Sequence, residues 1–253
     1  MYAEERQRYI AAAARAAGRV DVAELSAELE VTTETIRRDL SMLERHGILR
    51  RVHGGAIPVE CLGFEPALAT RSTAMTAEKD RIAKAALAEL PEEGAILLDA
   101  GTTTARLAEL LPPDRPLTVL TNGLPIALSL VARPQLTLML VGGRVRGTTV
   151  ATVDAWATEA LGQTYVDVAF VATNGVSVRR GLTTPDMAEA AVKRAMISAA
   201  RRVVLLADHT KASVDHLVRF GELADVDTFV TDSGLDERTA AEIASYGPRV
   251  VRA

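Results

Sequence analysis

Apolar residues along this chain follow two different rhythms. Up to about residue 57 they recur every three or four positions, as on the buried faces of small packed helices. The spacing predicts a helix over Ala3–Ala17 that stops at Gly18, a second over Val22–Leu29, and a third beginning after Thr32. Asp21 caps the second helix, and Glu24 three residues on completes a capping box. Thr32 caps the third, its hydroxyl accepting from an orphan N–H of the first turn. Ile36, Leu40 and Leu43 form that helix's apolar stripe, and Gly47, after His46, is placed to end it. Glu30-Val31 leaves a tight turn between the second and third helices. Ile48-Leu49, two arginines, His53 and the pair Gly54-Gly55 then read as a short basic hairpin. Three helices and a hairpin of this length predict a winged helix-turn-helix.

From Lys79 onward helical stretches alternate with unbroken apolar runs. Helices are expected at Lys79–Leu90, Thr103–Leu111, Leu124–Val131, Trp156–Leu161, Met187–Ala200 and Glu237–Ser245. Strands are expected at Ala95–Asp99, Leu117–Thr121, Leu136–Val141, Val166–Ala172, Val203–Ala207, Thr228–Thr231 and Arg249–Val251. Continuous apolar strands separated by helices mean a sheet covered on both faces, hence an α/β domain with a mostly parallel sheet. Pro58, Gly63 and Pro66 break the chain between the two rhythms, with a short helix expected over Ala67–Met75. The expected organisation is a winged helix-turn-helix over 1–57, a join over 58–75 and an α/β domain over 76–253.

Composition narrows the function. The net charge of −4 argues at first against nucleic acid, but its distribution reverses the inference. Residues 1–57 balance nine arginines against nine acids, whereas Thr33–His53 holds five arginines and three acids. The basic footprint is therefore local to the third helix and the hairpin. Thr33, Thr35, Arg37, Arg38 and Arg45 lie off the apolar stripe and would face a major groove. Arg50, Arg51, His53 and Gly54 would grip the phosphate backbone. A module this small gains affinity by dimerising. No apolar run approaches the ~18 residues of a membrane span, the charged N-terminus is not an export signal, and Cys61 is the only cysteine; a cytoplasmic location is expected. No His/Cys cluster has metal-ligand spacing, so neither metal nor cofactor is expected.

In the α/β domain, polar residues and glycines collect where strands end, which is where ligands bind in such sheets. Asp99-Ala100-Gly101-Thr102-Thr103-Thr104 joins a strand to a helix. It reads either as a phosphate cradle, offering free N–H groups at a helix start, or as a plain helix cap. Asn122-Gly123, Gly142-Gly143, Asn174-Gly175 and Asp208–Lys211 end further strands, and together suggest one rim around one pocket. Elsewhere the bland readings hold. Glu189 and Lys193 are read as a surface pair worth about 0.3–0.5 kcal/mol, with Asp186 and Glu189 as a capping box. His209 is read as a hydrogen-bonding residue, and Trp156 as core.

The run VTTETIRRDLSMLERHGILRRVHGGA, with its T-I-R-R-D-L core at Thr35–Leu40 and R-x-H-G-G-A end at Arg51–Ala56, resembles the N-terminal signature of the DeoR family of bacterial transcriptional regulators. The segments LDAGTTT, TNG, VGG, DVAF, EAAVKRAM and DHTK are similar to that family's effector domain in order and spacing, so the resemblance covers nearly the whole chain. It implies a sensor related in fold to ribose-5-phosphate isomerase and the CoA transferases, binding a phosphorylated sugar. Carried over residue by residue, it implies that Gly101–Thr104 hold the phosphate. Asp99, Asn122, Asp208 and Lys211 would face the sugar, with Gly142, Gly143 and Gly175 on the rim and Lys79, Glu189 and Lys193 nearby. Two positions depart from the family pattern: Gly123, where a serine is usual, and Asp154, near where a glycine is frequent and where an acid would disfavour an anion.

The function expected is that of a DNA-binding regulator, a repressor of carbohydrate metabolism or transport genes released from its operator by a phosphorylated sugar or related intermediate. It would act as a homodimer or homotetramer on double-stranded operator DNA, with no membrane partner and no catalysis. The alternatives are a sugar-phosphate isomerase-like enzyme, with Glu189 or Asp208 as base, and an activator of the same architecture.

Overall fold

The computed structural model describes residues 3–45, 48–52, 54–58 and 65–253. The expectations for His46, Gly47, His53, Cys61 and the Arg50 side chain fall outside the described residues. The chain forms two compact units, Met1–Arg71 and Ser72–Ala253.

The first unit runs α1 (Ala3–Ala17), β1 (Val20–Asp21), α2 (Val22–Glu28), α3 (Thr33–Arg45), β2 (Leu49–Val52) and β3 (Gly55–Pro58). Gly18, at φ +76°, ends α1, and its N–H closes back on the Ala14 carbonyl. The Asp21 side chain accepts from the Ala23 and Glu24 amides and caps α2. The turn into α3 is closed by Ser26, whose hydroxyl donates to the Val31 carbonyl at 2.6 Å. Thr32 accepts from the Thr35 amide at 3.2 Å, the cap expected at the start of α3. Ile36, Leu40 and Leu43 pack with Ile10, Ala14 and Leu25 in one small core. The wing is an antiparallel β2–β3 hairpin with β1 on its other side.

Helix α4 (Leu68–Thr73) crosses the boundary between the units, within the helix expected over Ala67–Met75. The second unit then runs α5 (Thr76–Ala86), β4 (Gly94–Leu98), α6 (Thr102–Glu109), β5 (Leu117–Thr121), α7 (Leu124–Leu130), β6 (Thr137–Leu140), β7 (Arg144–Arg146), β8 (Ala151–Val153), α8 (Ala155–Gly162) and β9 (Val166–Ala172). It closes with β10 (Gly175–Ser177), β11 (Gly181–Thr184), α9 (Met187–Ser198), β12 (Ala200–Leu206), β13 (Val218–Gly221), β14 (Thr228–Thr231), α10 (Glu237–Ala244) and β15 (Arg249–Arg252). Seven of these strands make one parallel sheet in the order β15-β14-β12-β9-β4-β5-β6. The chain winds outward from β4 to β6, returns to β9, and winds outward again to β15. The switch point of this doubly wound sheet therefore lies between β4 and β9.

Alternate side chains of each strand serve opposite cores. Leu97, Val171, Leu205 and Phe229 pack under α8, α9 and α10. Ile96, Leu98, Phe170, Val204 and Val230 pack under α5, α6 and α7. Burial on both faces is why these strands read as unbroken apolar runs. Five strands of the second unit were not expected from sequence: the β7–β8 hairpin and the antiparallel sheet β10-β11-β13. They are three or four residues long, too short to show a period. Strand β12 also starts earlier than expected, because Ala200 pairs with Val166 of β9.

Candidate functional site

The face of α3 opposite its apolar stripe is open. Thr33, Arg37, Arg38 and Arg45 are exposed and Thr35 is half-buried. Arg37 lies 3.6 Å from Glu34, an exposed pair one helical turn apart. The Arg38 guanidinium makes no hydrogen bond or ion pair among the described residues. Arg45 folds back on its own helix, toward the Ser41 carbonyl and the Met42 sulfur. Arg51 ties the wing to α3: its amide donates to Glu44 at 2.9 Å and its guanidinium to the Ser41 hydroxyl at 3.1 Å. Gly54 is exposed at the tip of the hairpin, and its carbonyl accepts from Val22.

Sequence reasoning missed how α3 is held. Asp39 is 4% exposed, accepting from Arg6 at 2.5 Å and from Gln7 at 2.9 Å, both on α1. The signal was present: Asp39 falls three residues after Ile36 and four before Leu43, on the buried stripe itself. An acid there needs a buried partner, and Arg6 is that partner.

In the second unit much of the polar chemistry at the strand ends is internal. Asp99 lies at the switch point, 1% exposed. Its carboxylate accepts from the Ala172 amide at the end of β9 and from the Lys193 ammonium of α9. Lys193 also donates to the Ala172 carbonyl at 2.9 Å and sits 5.5 Å from the centre of the Phe220 ring. Asn122 spans two loops, accepting from the Ala100 amide at 2.8 Å and donating to the Thr152 carbonyl at 3.1 Å. Both ends of its amide are thus used within the protein. Thr104 donates to the carbonyls of Asp99 and Gly101. Asp208 accepts from the Thr210 amide and hydroxyl. The Lys79 ammonium donates to the Ala74 carbonyl at 2.6 Å.

What stays open is the start of α6. Gly101 has no side chain to cap the helix, and among the described residues no other side chain caps it. The hydroxyls of Thr102 and Thr103 have no protein partner among the described residues. The Lys211 ammonium, half-buried beyond β12, is likewise unpaired among the described residues. Gly142 is exposed, Gly143 adopts φ +145°, and Gly175 is packed so closely that a Cβ would lie 2.3 Å from the Val214 carbonyl oxygen. A backbone contact therefore requires glycine at 175, independently of any ligand.

Two expectations are corrected. Glu189 and Lys193 are not a surface pair: both are buried, and they point to different partners. Asp186 caps α9 as expected, accepting from the Glu189 amide at 2.9 Å, while the Glu189 carboxylate accepts from Arg146 at 3.0 Å and from the Thr149 hydroxyl and so ties the β7–β8 hairpin to α9. Trp156 is not core but 77% exposed, because α8 turns its first residues outward and buries Ala157 and Leu161. Asp154, a departure from the family pattern, is paired with Arg144. His209 is a hydrogen-bonding residue, its Nδ1 2.8 Å from Asp232. Burial pushes the Asp232 carboxyl up, but hydrogen bonds from the His209 and Gly234 amides and from the His209 ring outweigh it, leaving its pKa below the usual carboxylate value.

Comparison with known proteins fits this division. Residues 6–60 match the DeoR-like helix-turn-helix domain and residues 74–233 the DeoR C terminal sensor domain. The chain belongs to the DeoR family. It is 37% identical over 249 residues to the HTH-type transcriptional regulator GlpR of Haloferax volcanii, covering 98% of this chain and 97% of that one. It is 35% identical over 214 residues to the transcriptional repressor AccR of Agrobacterium fabrum, covering 84% and 83%. Among solved structures it is similar to ribose 5-phosphate isomerase A of Methanocaldococcus jannaschii, at 17% identity and a TM-score of 0.38. That match covers 53% of each chain, so this chain spans about half the isomerase's length, and the likeness carries no functional weight. As a DeoR-family protein with this helix-turn-helix, the chain is a DNA-binding transcriptional regulator. Among the described residues no helix is long and apolar enough to cross a membrane.

Proposed function

We propose that this regulator is a repressor, that α3 enters the major groove, and that a phosphorylated sugar bound at the start of α6 releases it from DNA. The observation that carries the DNA half is the unpaired Arg38 guanidinium on the outer face of a helix anchored through Asp39. An exposed arginine with no internal partner is free to pair with guanine or phosphate. Thr35 and Arg37 flank it, and Arg51 sits where the wing meets the backbone. The repressor sign is supported by relatives such as AccR that carry that name.

The effector half rests on the open N-terminus of α6 at the switch point. Its first N–H groups and its dipole favour an anion, Thr102 and Thr103 offer hydroxyls, and Lys211 offers an unpaired cation. The reading is sensing, not turnover: the two carboxylates an isomerase would use as base, Glu189 and Asp208, are both engaged in protein hydrogen bonds. Release needs only a ligand that prefers the arrangement that misplaces the reading heads. A coupling of about 1–3 kcal/mol would change operator affinity roughly 5–150-fold.

Two measurements test this. In a mobility-shift assay with the natural operator, Arg38→Ala should cut binding, and Arg51→Ala should weaken all sequences and flatten the salt dependence. In a thermal-shift screen, a phosphorylated sugar should raise the melting temperature, and Thr103→Ala or Lys211→Ala should abolish the rise. Normal DNA binding by both arginine variants removes the assigned reading face, and a ligand shift unaffected by both pocket variants moves the effector elsewhere.

A further inference from the structure

One side of the parallel sheet ends in an unprotected strand. Between Asn122 and Gly143 the chain carries a single charged residue, Arg133, and its guanidinium is turned inward to the carbonyls of Glu109 and Leu111. The rest of the stretch is α7 and β6, and much of it is exposed. Leu128 and Val131 on the outer side of α7 are 74% and 70% exposed, and Met139 and Leu140 on β6 are 51% and 50% exposed. Strand β6 pairs only with β5 among the described residues, so its outer row of N–H and C=O groups is unpaired. Just beyond it, Gly143, Arg144, Val153, Asp154, Ala155 and Trp156 line a hollow of about 370 Å³, with the Trp156 ring largely in solvent.

Bare sheet edges are hazardous, and proteins normally blunt them with charge. The opposite edge of this sheet follows that rule, since β15 carries Arg249 and Arg252. Strand β6, T-L-M-L, carries none. From this contrast we infer that β6 and the outer face of α7 form an interface between two copies of this chain, β6 pairing antiparallel with β6 of the partner across a two-fold axis.

Three features fit a second copy better than a foreign protein. An antiparallel strand paired with its own copy satisfies both rows of backbone groups at once, and such an isologous contact closes on itself without propagating. The charges on this surface are few and compensated: the Arg133 guanidinium is turned inward and Arg144 is paired with Asp154, so two identical patches meet without net repulsion. Its area is also of the right order: Leu128, Val131, Met139, Leu140, Val145 and Trp156 together expose roughly 600 Å², near the ~800 Å² that each partner gives to a standard interface. The inference deepens the regulatory reading, because a helix-turn-helix protein on a palindromic operator needs two linked heads.

The test is sedimentation of the full-length protein without DNA. Met139→Lys and Leu128→Glu change exposed side chains, so far-UV circular dichroism should match the parent's. Each should lower the assembly by one step, dimer to monomer or tetramer to dimer, with the dissociation constant raised at least 100-fold. Tyr165→Glu, exposed elsewhere on the same domain, should leave the assembly unchanged. A parent protein that is monomeric at tens of micromolar, or charged variants that keep the parent mass, overturns the inference. Arg38→Ala separates the two proposals: it should lose the operator yet sediment like the parent, so the reading face can fail while the interface stands.

Discussion

Removing the cation from the switch point should show how much of the sensor depends on one buried ion pair. Lys193 and Asp99 are each about 5% exposed or less and face each other across the β4–β9 crevice. In Lys193→Met the side-chain volume is nearly kept, but the Asp99 carboxylate stays buried with only the Ala172 amide to accept from. Breaking a buried pair from one side costs about 3–5 kcal/mol, because the remaining charge is uncompensated. The contact with Phe220 is lost as well, worth about 0.5–2 kcal/mol. For a domain of this size each kcal/mol moves the melting temperature by roughly 2–4 °C, so a fall on the order of 10 °C is expected. Asp99→Asn alone should also be costly, since it strands the ammonium. The double variant Asp99→Asn with Lys193→Met leaves no charge, and Asn can still accept from Ala172. It should recover much of the loss, with a coupling energy of about 2–3 kcal/mol. Far-UV circular dichroism is the readout; Trp156 is too exposed for its fluorescence to report on the core. A cost under about 1 kcal/mol for Lys193→Met, or strict additivity in the cycle, would refute the account of the pair as the clamp of the switch point.

Other consequences are simpler to test. Gly55→Ala places a Cβ 1.9 Å from the Val20 carbonyl oxygen, so the β1–β3 pairing must open. Overpacking of this kind costs about 1–3 kcal/mol; operator affinity in a mobility-shift titration should fall while the melting of the sensor domain is unchanged. Asp232 is held below the ordinary carboxylate pKa in the folded protein. Its contribution to stability is therefore complete above the unfolded value of about 3.9 and is lost as pH falls below it. Asp232→Asn should flatten the acid limb of a pH–stability profile below about pH 4, and an unchanged limb would show that the His209–Asp232 contact contributes little.

How much of this was legible in the residues depends on the length of the pattern that carried it. Strand β9 announces itself because all but one of its seven positions are apolar, and helix α3 because a cap at Thr32 leads into an apolar stripe at helical spacing. The β10-β11-β13 sheet does not, because a strand such as Gly175–Ser177 offers three residues and no period. Trp156 was misread for a related reason. Its hydrophobicity says that it prefers burial but not which face of α8 points inward, and Ala157 and Leu161 take that face. Glu189 and Lys193 satisfy the i,i+4 rule for a surface pair, yet their real partners, Arg146 and Asp99, are 43 and 94 residues distant. Local spacing cannot distinguish a neighbour on the helix from a partner brought by the fold.

That last point reorganises the candidate site. A row of polar residues at strand ends invites the reading that all of them face a ligand. The geometry instead separates them into a frame and an opening. Asp99, Thr104, Asn122 and Asp208 spend their polar atoms inside the protein: Asp99 ties the end of β4 to β9 and to Lys193 of α9, Asn122 ties the loop after β4 to β8, and Thr104 and Asp208 close local turns. Such groups are costly to bury unsatisfied, so a ligand that displaced them would have to replace each bond it broke. The α6 amides, Thr102, Thr103 and Lys211 carry no such obligation, and an anion can engage them at no cost to the frame. The two sets should therefore separate in mutants. Substitutions in the frame should lower stability with or without ligand, whereas Thr103→Ala and Lys211→Ala should leave the unliganded melting temperature within about 1 °C and remove only the ligand-induced rise. If Thr103→Ala destabilised the unliganded protein as much as Asn122→Ala does, the α6 threonines would belong to the frame, and the anion would have to be held elsewhere on the rim.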